Sequence, residues 1–211
     1  MSKLFVVGTG PGDLQLLAPK AASAIQASSD LVAYGLYLDL LGQICEGKTH
    51  HDLPLGEEIG RARLALDLAA SGKTTALISS GDIGIYAMAT LVFELLDQQL
   101  SGKEQHPEWL DVEIEVIPGI SAMQAGASRV GALLGHDFCT ISLSDLLTPW
   151  PSIQMRVKAA AAANAQDGQD AQQSPEGRDV TAGDGRADAR ARGAEVGVGR
   201  IGTLCDLFLV R

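Results

Sequence analysis

From Lys3 to Leu147 short apolar runs of strand type alternate with longer runs of helical period, and this alternation constrains the chain more than any other feature. "KLFVV", "DLVAY", "KTHHDL", "TTALISS", "VEIEVI" and "FCTISLS" read as strands. Between them "PKAASAIQA", "LYLDLLGQI", "EEIGRARLALDLAAS", "IYAMATLVFELLDQQL" and "SAMQAGASRVGALL" read as helices. Pro19 suits a first helical turn, where its missing N–H would be unpaired anyway, and Gly72 suits a helix stop. Strand and helix taking turns imply crossover connections. The expected fold is therefore α/β, a mainly parallel five-stranded sheet with helices on both faces. Such sheets bind ligands at the carboxyl ends of their strands.

Glycine-bearing loops stand at those ends: "GTGPGD" after the first strand, "GDIGIYAMA" after "ALISS", and "PGISAM" after "IEVI". Gly10, Gly12, Gly81 and Gly119 singly make turns, but together on one sheet edge they indicate a shared site. The ligand is not a dinucleotide by the fingerprint test. Gly8 and Gly10 fill the first two glycine places of GxGxxG, but the last is Asp13, a carboxylate that would face a pyrophosphate. "ASGKTT" imitates the end of a P-loop, yet the upstream glycine position holds Asp67 and the stretch precedes a strand instead of following one.

Composition narrows the function class. A formal charge of −10 over 211 residues, with no basic run, disfavours sequence-independent nucleic-acid binding. Cys45, Cys139 and Cys205 are scattered and odd in number, so neither a disulfide framework nor a metal-ligand spacing is present. No apolar stretch has the length of a signal peptide or a membrane span, and the expectation is a cytoplasmic protein with reduced thiols. After Trp150, "PSIQMRVKAAAAANA" reads as a helix. Gln166 to Arg200 contains no aromatic, Leu or Ile and cannot bury enough apolar surface to offset its ordering entropy, so it is expected to be disordered. "IGTLCDLFLVR" is apolar again but would need a sheet to join.

"VGTGPGDLQLLAPKA", "ISSGDIGIYAMA", "IPGISAM" and "LLGHDFCTISLSDLLTPW" together resemble the tetrapyrrole methylase family, and the last is most similar to its ring-contracting branch in corrin biosynthesis. The resemblance covers Ser2 to about Asn164. It implies an S-adenosylmethionine-dependent C-methyltransferase of cobalamin biosynthesis that methylates C17 of precorrin-3B with ring contraction. It also implies two α/β domains with a cleft between them. Pro11 would line that cleft near the cofactor, Ser80, Gly81, Asp82 and Ile85 would form the main cofactor loop, and Ser121 with Ala122 would close over it. Asp82 is equally suited to capping a helix. Ring contraction needs proton traffic, for which Asp13 and His136 are the candidates, His136 being also suited to a plain turn. Arg129 and Lys20 suit either the carboxylate arms of a tetrapyrrole or surface solubility. His50, His51 and His106 read as surface residues. Ala18 stands where the family often has a capping Thr.

The resemblance implies residues 1–150 as the family's N-terminal domain and 151–165 as a helix leading onward. Residues 166–211 lack the family's second-domain pattern and look like out-of-frame translation of a GC-rich gene. A truncated or frameshifted product is the expectation, with an uncovered apolar face that favours a homodimer. A non-catalytic fragment that binds tetrapyrrole or cofactor is the alternative reading, and a nicotinamide-dependent reductase a third.

Overall fold

The protein is described by a computed structural model covering residues 2–103, 105–131, 134, 138–144, 148–173 and 207–210. It divides into two compact units, Met1–Gly126 and Ala127–Arg211.

The first unit is built on β1 (Lys3–Gly8), β2 (Asp30–Ala33), β3 (Thr49–Asp52), β4 (Thr74–Ser79) and β5 (Glu113–Ile117). They form one five-stranded sheet in the order β3-β2-β4-β1-β5, and every pairing is parallel. The expected sheet is thus present. Four helices cover it: α1 (Pro19–Ala27), α2 (Gly35–Leu41), α3 (Glu58–Ala70) and α4 (Met88–Leu100).

Alternating strand residues bury against opposite layers. Leu4, Val6, Val32 and Leu77 pack with Ala62, Ala65 and Leu66 of α3 and with Val92 and Leu95 of α4. Val7, Leu31, Ala33, Ala76 and Ile78 pack with Ala21, Ala24 and Ile25 of α1 and Leu38 and Leu41 of α2 on the other face. Strands buried on both sides become continuous apolar runs, which is why they were readable in the sequence.

Local signals fix the helix ends. Pro19 opens α1, and Ala18 before it provides no side-chain cap. After α3, Gly72 adopts φ +94, the Gly72 N–H donates to the Ala69 carbonyl and the Lys73 N–H to the Leu68 carbonyl. That paired pattern closes the helix around a left-handed glycine, as expected. The helix expected from Ile85 begins only at Met88. Tyr86 takes φ +51 and Ala87 is extended, so neither can belong to it.

α5 (Ala122–Val130) follows the loop after β5 and stops before Gly131, whose φ is +111. It is shorter than the expected helix because Gly131 takes that left-handed conformation and breaks the helical run.

In the second unit "FCTISLS" does supply a strand, β6 (Cys139–Ser142), but in a separate sheet, where it pairs in parallel with β7 (Leu207–Val210). The terminal apolar run, which needed a sheet to join, thus finds its partner strand in β6. α6 (Trp150–Gln173) buries Ile153 completely and runs past residue 165, where the expected helix ends. Once nucleated, a helix gains one bond for each residue added, which carries it into the polar stretch. Residues 174–206 lie outside the described residues. No described helix is long and apolar enough to cross a membrane.

Candidate functional site

β1 and β4 are neighbours in the sheet, yet α1 after β1 packs on one face and α4 after β4 on the other. Their connections diverge at the carboxyl ends, and a crevice opens between such strands in a parallel sheet. The loop after β5 borders the same place, because β5 lies on the other side of β1.

Backbone contacts bind the three loops into one rim. Gly10 and Gly81 exchange hydrogen bonds, Gly10 N–H to Gly81 O at 3.1 Å and Gly81 N–H to Gly10 O at 2.6 Å. Thr9, buried, donates both its N–H (3.0 Å) and its hydroxyl (3.1 Å) to the Ser79 carbonyl. Gly8, Gly81 and Gly119 meet so closely that a Cβ on Gly119 would lie 2.2 Å from the Gly81 oxygen, and one on Gly8 2.7 Å from the same atom. Only residues without a side chain pack in this way.

Gly81 itself is packed less tightly. Its φ is +66, and a Cβ added there would make ordinary van der Waals contact, at 3.9 Å, with Ala122 N and Ser121 Cα. The place over Gly81, beside the start of α5, is the candidate slot for a ligand. Ser121, 3 % exposed, accepts from Gln124 N–H at 3.1 Å through its hydroxyl while its own N–H donates to Gln124 Oε1 at 3.0 Å. This reciprocal capping box fixes the α5 terminus and leaves the Ser121 hydroxyl hydrogen to donate elsewhere. The glycines were legible in the sequence and Ser121 through the resemblance, but the capping pattern of "SAMQ" with its Gln124, Thr9 and the steric role of Gly8 were missed.

The other expected site residues distribute as follows. Pro11 and Ile85 are exposed beside the crevice, on the β1 and β4 loops, and Ser80 is half-buried between β4 and Gly81. Asp82 does not cap α4, whose N-cap position is Ala87. Its carboxylate instead accepts from Gly84 N–H at 2.8 Å and from Gly119 N–H at 3.1 Å. Asp13 is exposed and caps a short 3-10 turn by accepting from Gln15 N–H at 2.9 Å. His136 lies outside the described residues. Lys20 is drawn 2.6 Å from Glu115, and Arg129 is exposed in the last turn of α5.

The histidines are more engaged than surface residues need be. His50 meets the Cys45 carbonyl, and His51, half-buried, pairs with the buried Asp30 at 2.8 Å. His106 stacks on Trp109 at 4.3 Å between ring centres. With Asp67 and Glu108 it makes the one group of metal-ligating type among the described residues. Asp67 already accepts from the Trp109 indole, and His106 meets Glu108. These residues precede β4 and β5 in the chain and stand at the amino end of the sheet, opposite the crevice.

A family model described as "Tetrapyrrole (Corrin/Porphyrin) Methylases" matches residues 3–171. The chain is 45% identical over 162 residues to the "Cobalt-factor III methyltransferase" of Priestia megaterium, covering 77% of this chain and 29% of that protein. It is 43% identical over 164 residues to the "Precorrin-3B C(17)-methyltransferase" of a Sinorhizobium species, covering 76% of this chain and 60% of the relative. The crystal structure of the methyltransferase CobJ superimposes with a TM-score of 0.68 at 40% identity, covering 76% of this chain and 64% of the other. The chain thus spans less than two thirds of each of these proteins.

Proposed function

The chain belongs to the tetrapyrrole methylase family, and from that membership we propose that it acts in an S-adenosylmethionine-dependent methyl transfer to C17 of precorrin-3B, with ring contraction, during corrin formation. The observation that carries the reading is the convergence of three glycine loops on Gly81 at the β1/β4 crevice. A bulky cofactor without phosphate needs backbone it can approach, and Gly81 offers backbone without a side chain in a left-handed conformation, φ +66. S-adenosylmethionine, when bound, supplies an electrophilic methyl group on a sulfonium.

The chain's residues then have positioning work. The Gly10–Gly81 pair holds the slot floor, the Ser121 hydroxyl donates to a polar part of the cofactor, and Pro11, Ser80, Ile85 and Ala122 border it. Methyl transfer is an in-line displacement whose rate depends mainly on holding donor and acceptor carbons aligned. No nucleophilic side chain is needed. Proton movement in the contraction step is assigned to Asp13, whose second carboxylate oxygen remains to exchange a proton, with His136 as the other candidate.

Calorimetric titration with S-adenosylhomocysteine tests the slot. The parent chain is expected to bind it and to give no heat with NADH, and Gly81→Val is expected to remain folded without binding. A folded parent that binds NADH but not S-adenosylhomocysteine, or a Gly81→Val chain that binds like the parent, overturns the reading. Methyl transfer itself is read with labelled cofactor and a precorrin substrate.

A further inference from the structure

Asp82 grips two loops with one side chain. Its Oδ1 accepts from Gly84 N–H within the β4 loop at 2.8 Å, and its Oδ2 reaches the β5 loop to accept from Gly119 N–H at 3.1 Å. The second bond lies beside the tightest backbone contact of the site, where Gly119 abuts Gly8 and the Gly81 carbonyl. Gly119 is also followed, after Ile120, by the Ser121–Ala122 wall of the slot, while Asp82 directly follows its Gly81 floor. The Asp82–Gly119 bond thus joins floor to wall.

We propose that Asp82 is a positioning residue: its carboxylate ties the β4 loop to the β5 loop and so sets the width of the slot over Gly81, without contacting the ligand. Two features of the chemistry support this over a ligand-binding role. An ionised carboxylate only accepts hydrogen bonds, and although each oxygen keeps a second lone pair, both already accept a backbone N–H within the loops, so the side chain is satisfied as a tie without a ligand. Such charge-assisted bonds are short, directional and stronger than neutral ones, which suits a tie that must hold two loops in register. The inference rests on the reading of the slot as the S-adenosylmethionine site.

The test uses the full chain labelled with ¹⁵N and the variants Asp82→Asn and Asp82→Ala. Asparagine keeps the shape but replaces one acceptor oxygen with a donor, so a single N–H of the two stays paired; it is the variant chosen to preserve the fold. In both variants, without ligand, the Gly84 and Gly119 amide resonances are expected to move, and combined exchange at these two amides to rise about tenfold. S-adenosylhomocysteine binding is expected to weaken about tenfold or more at temperatures well below melting. Asp82→Asn should nonetheless melt within a few degrees of the parent. Unchanged Gly84 and Gly119 amides with weakened binding would show that Asp82 contacts the ligand and would overturn the proposal. Altered amides with unchanged affinity would overturn it also, leaving only a structural tie. A parent that does not bind S-adenosylhomocysteine removes the functional reading and the positioning role with it, while the amide signals still decide whether the tie exists.

Discussion

Replacing Gly119 with alanine places a methyl group where only hydrogen fits. The new Cβ would stand 2.2 Å from the Gly81 oxygen and 2.7 Å from the carbonyl carbon and oxygen of Gly8, all backbone atoms that cannot rotate away. Restoring ordinary contact requires the β1, β4 and β5 loops to separate by about 1 Å, because non-bonded carbon atoms are comfortable only near 3.5 Å. That movement strains the Gly10–Gly81 pair and the Gly119–Asp82 bond. Overpacking of this kind costs about 1–3 kcal/mol, and each strained hydrogen bond adds up to about 1 kcal/mol, for a total of about 3 kcal/mol. Gly81→Ala is the matched comparison. It meets nothing nearer than 3.9 Å but must hold φ +66, a cost of about 1–2 kcal/mol for an L residue. Gly119 has no such left-handed backbone, so its penalty is purely steric. Urea titrations of the two variants should therefore give a larger loss of stability for Gly119→Ala, and thermal melts should place its midpoint about 6–12 °C below the parent. If Gly119→Ala proves no more costly than Gly81→Ala, the close-packed junction is not a constraint and the reasoning fails.

Thr75 is wholly buried in β4 and its hydroxyl has no partner, so Thr75→Val, of nearly the same shape, should raise stability by about 1 kcal/mol in chemical denaturation; a loss would mean that the hydroxyl is satisfied. Ser121→Ala removes half of the α5 capping box and should lower the melting temperature by the equivalent of about 1 kcal/mol, with Gln124→Ala in the same background adding little. For Asp30, burial alone would raise the carboxyl pKa, but hydrogen bonds from Lys73, His51 and Ser29 outweigh it and hold it at about 2, against an ordinary 3.8. A depressed folded-state pKa stabilises fully above the unfolded value, so about 2 kcal/mol should be present above pH 4 and disappear as the pH falls toward 2. Urea midpoints measured across that interval should flatten in Asp30→Asn, and an unchanged acid slope would remove Asp30 from the account.

How much of this was legible depended on how each feature is encoded. β1, β2 and β4 are buried on both faces, and burial of that kind leaves an unbroken apolar signature in the sequence. β3, "THHD", is a largely exposed edge strand and was correspondingly faint. The start of α4 was misjudged because "GIYAMA" contains neither proline nor a capping residue. What delays the helix is the left-handed Tyr86 followed by the extended Ala87, conformations that local propensity does not announce. β7 was unreadable as a paired strand for a similar reason: its partner β6 is more than sixty residues away in sequence, and no periodicity records a pairing across such a distance.

The site shows the same division more sharply. Glycine marks where backbone comes close, but the letter does not say why. Gly81 is required by its left-handed φ of +66, whereas Gly8 and Gly119 are required by neighbouring backbone within 2.8 Å. Only the sheet order, which sets β1 between β4 and β5, distinguishes those two demands. Asp82 is equally opaque in the sequence, since the same residue after a Ser-Gly turn can cap a helix, hold a cation or accept backbone N–H groups. Its partner Gly119 is 37 positions away, and the strand pairing of β5 with β1 brings them together. The glycines therefore located the site from sequence, while the division of labour within it follows from parallel strands converging at one edge.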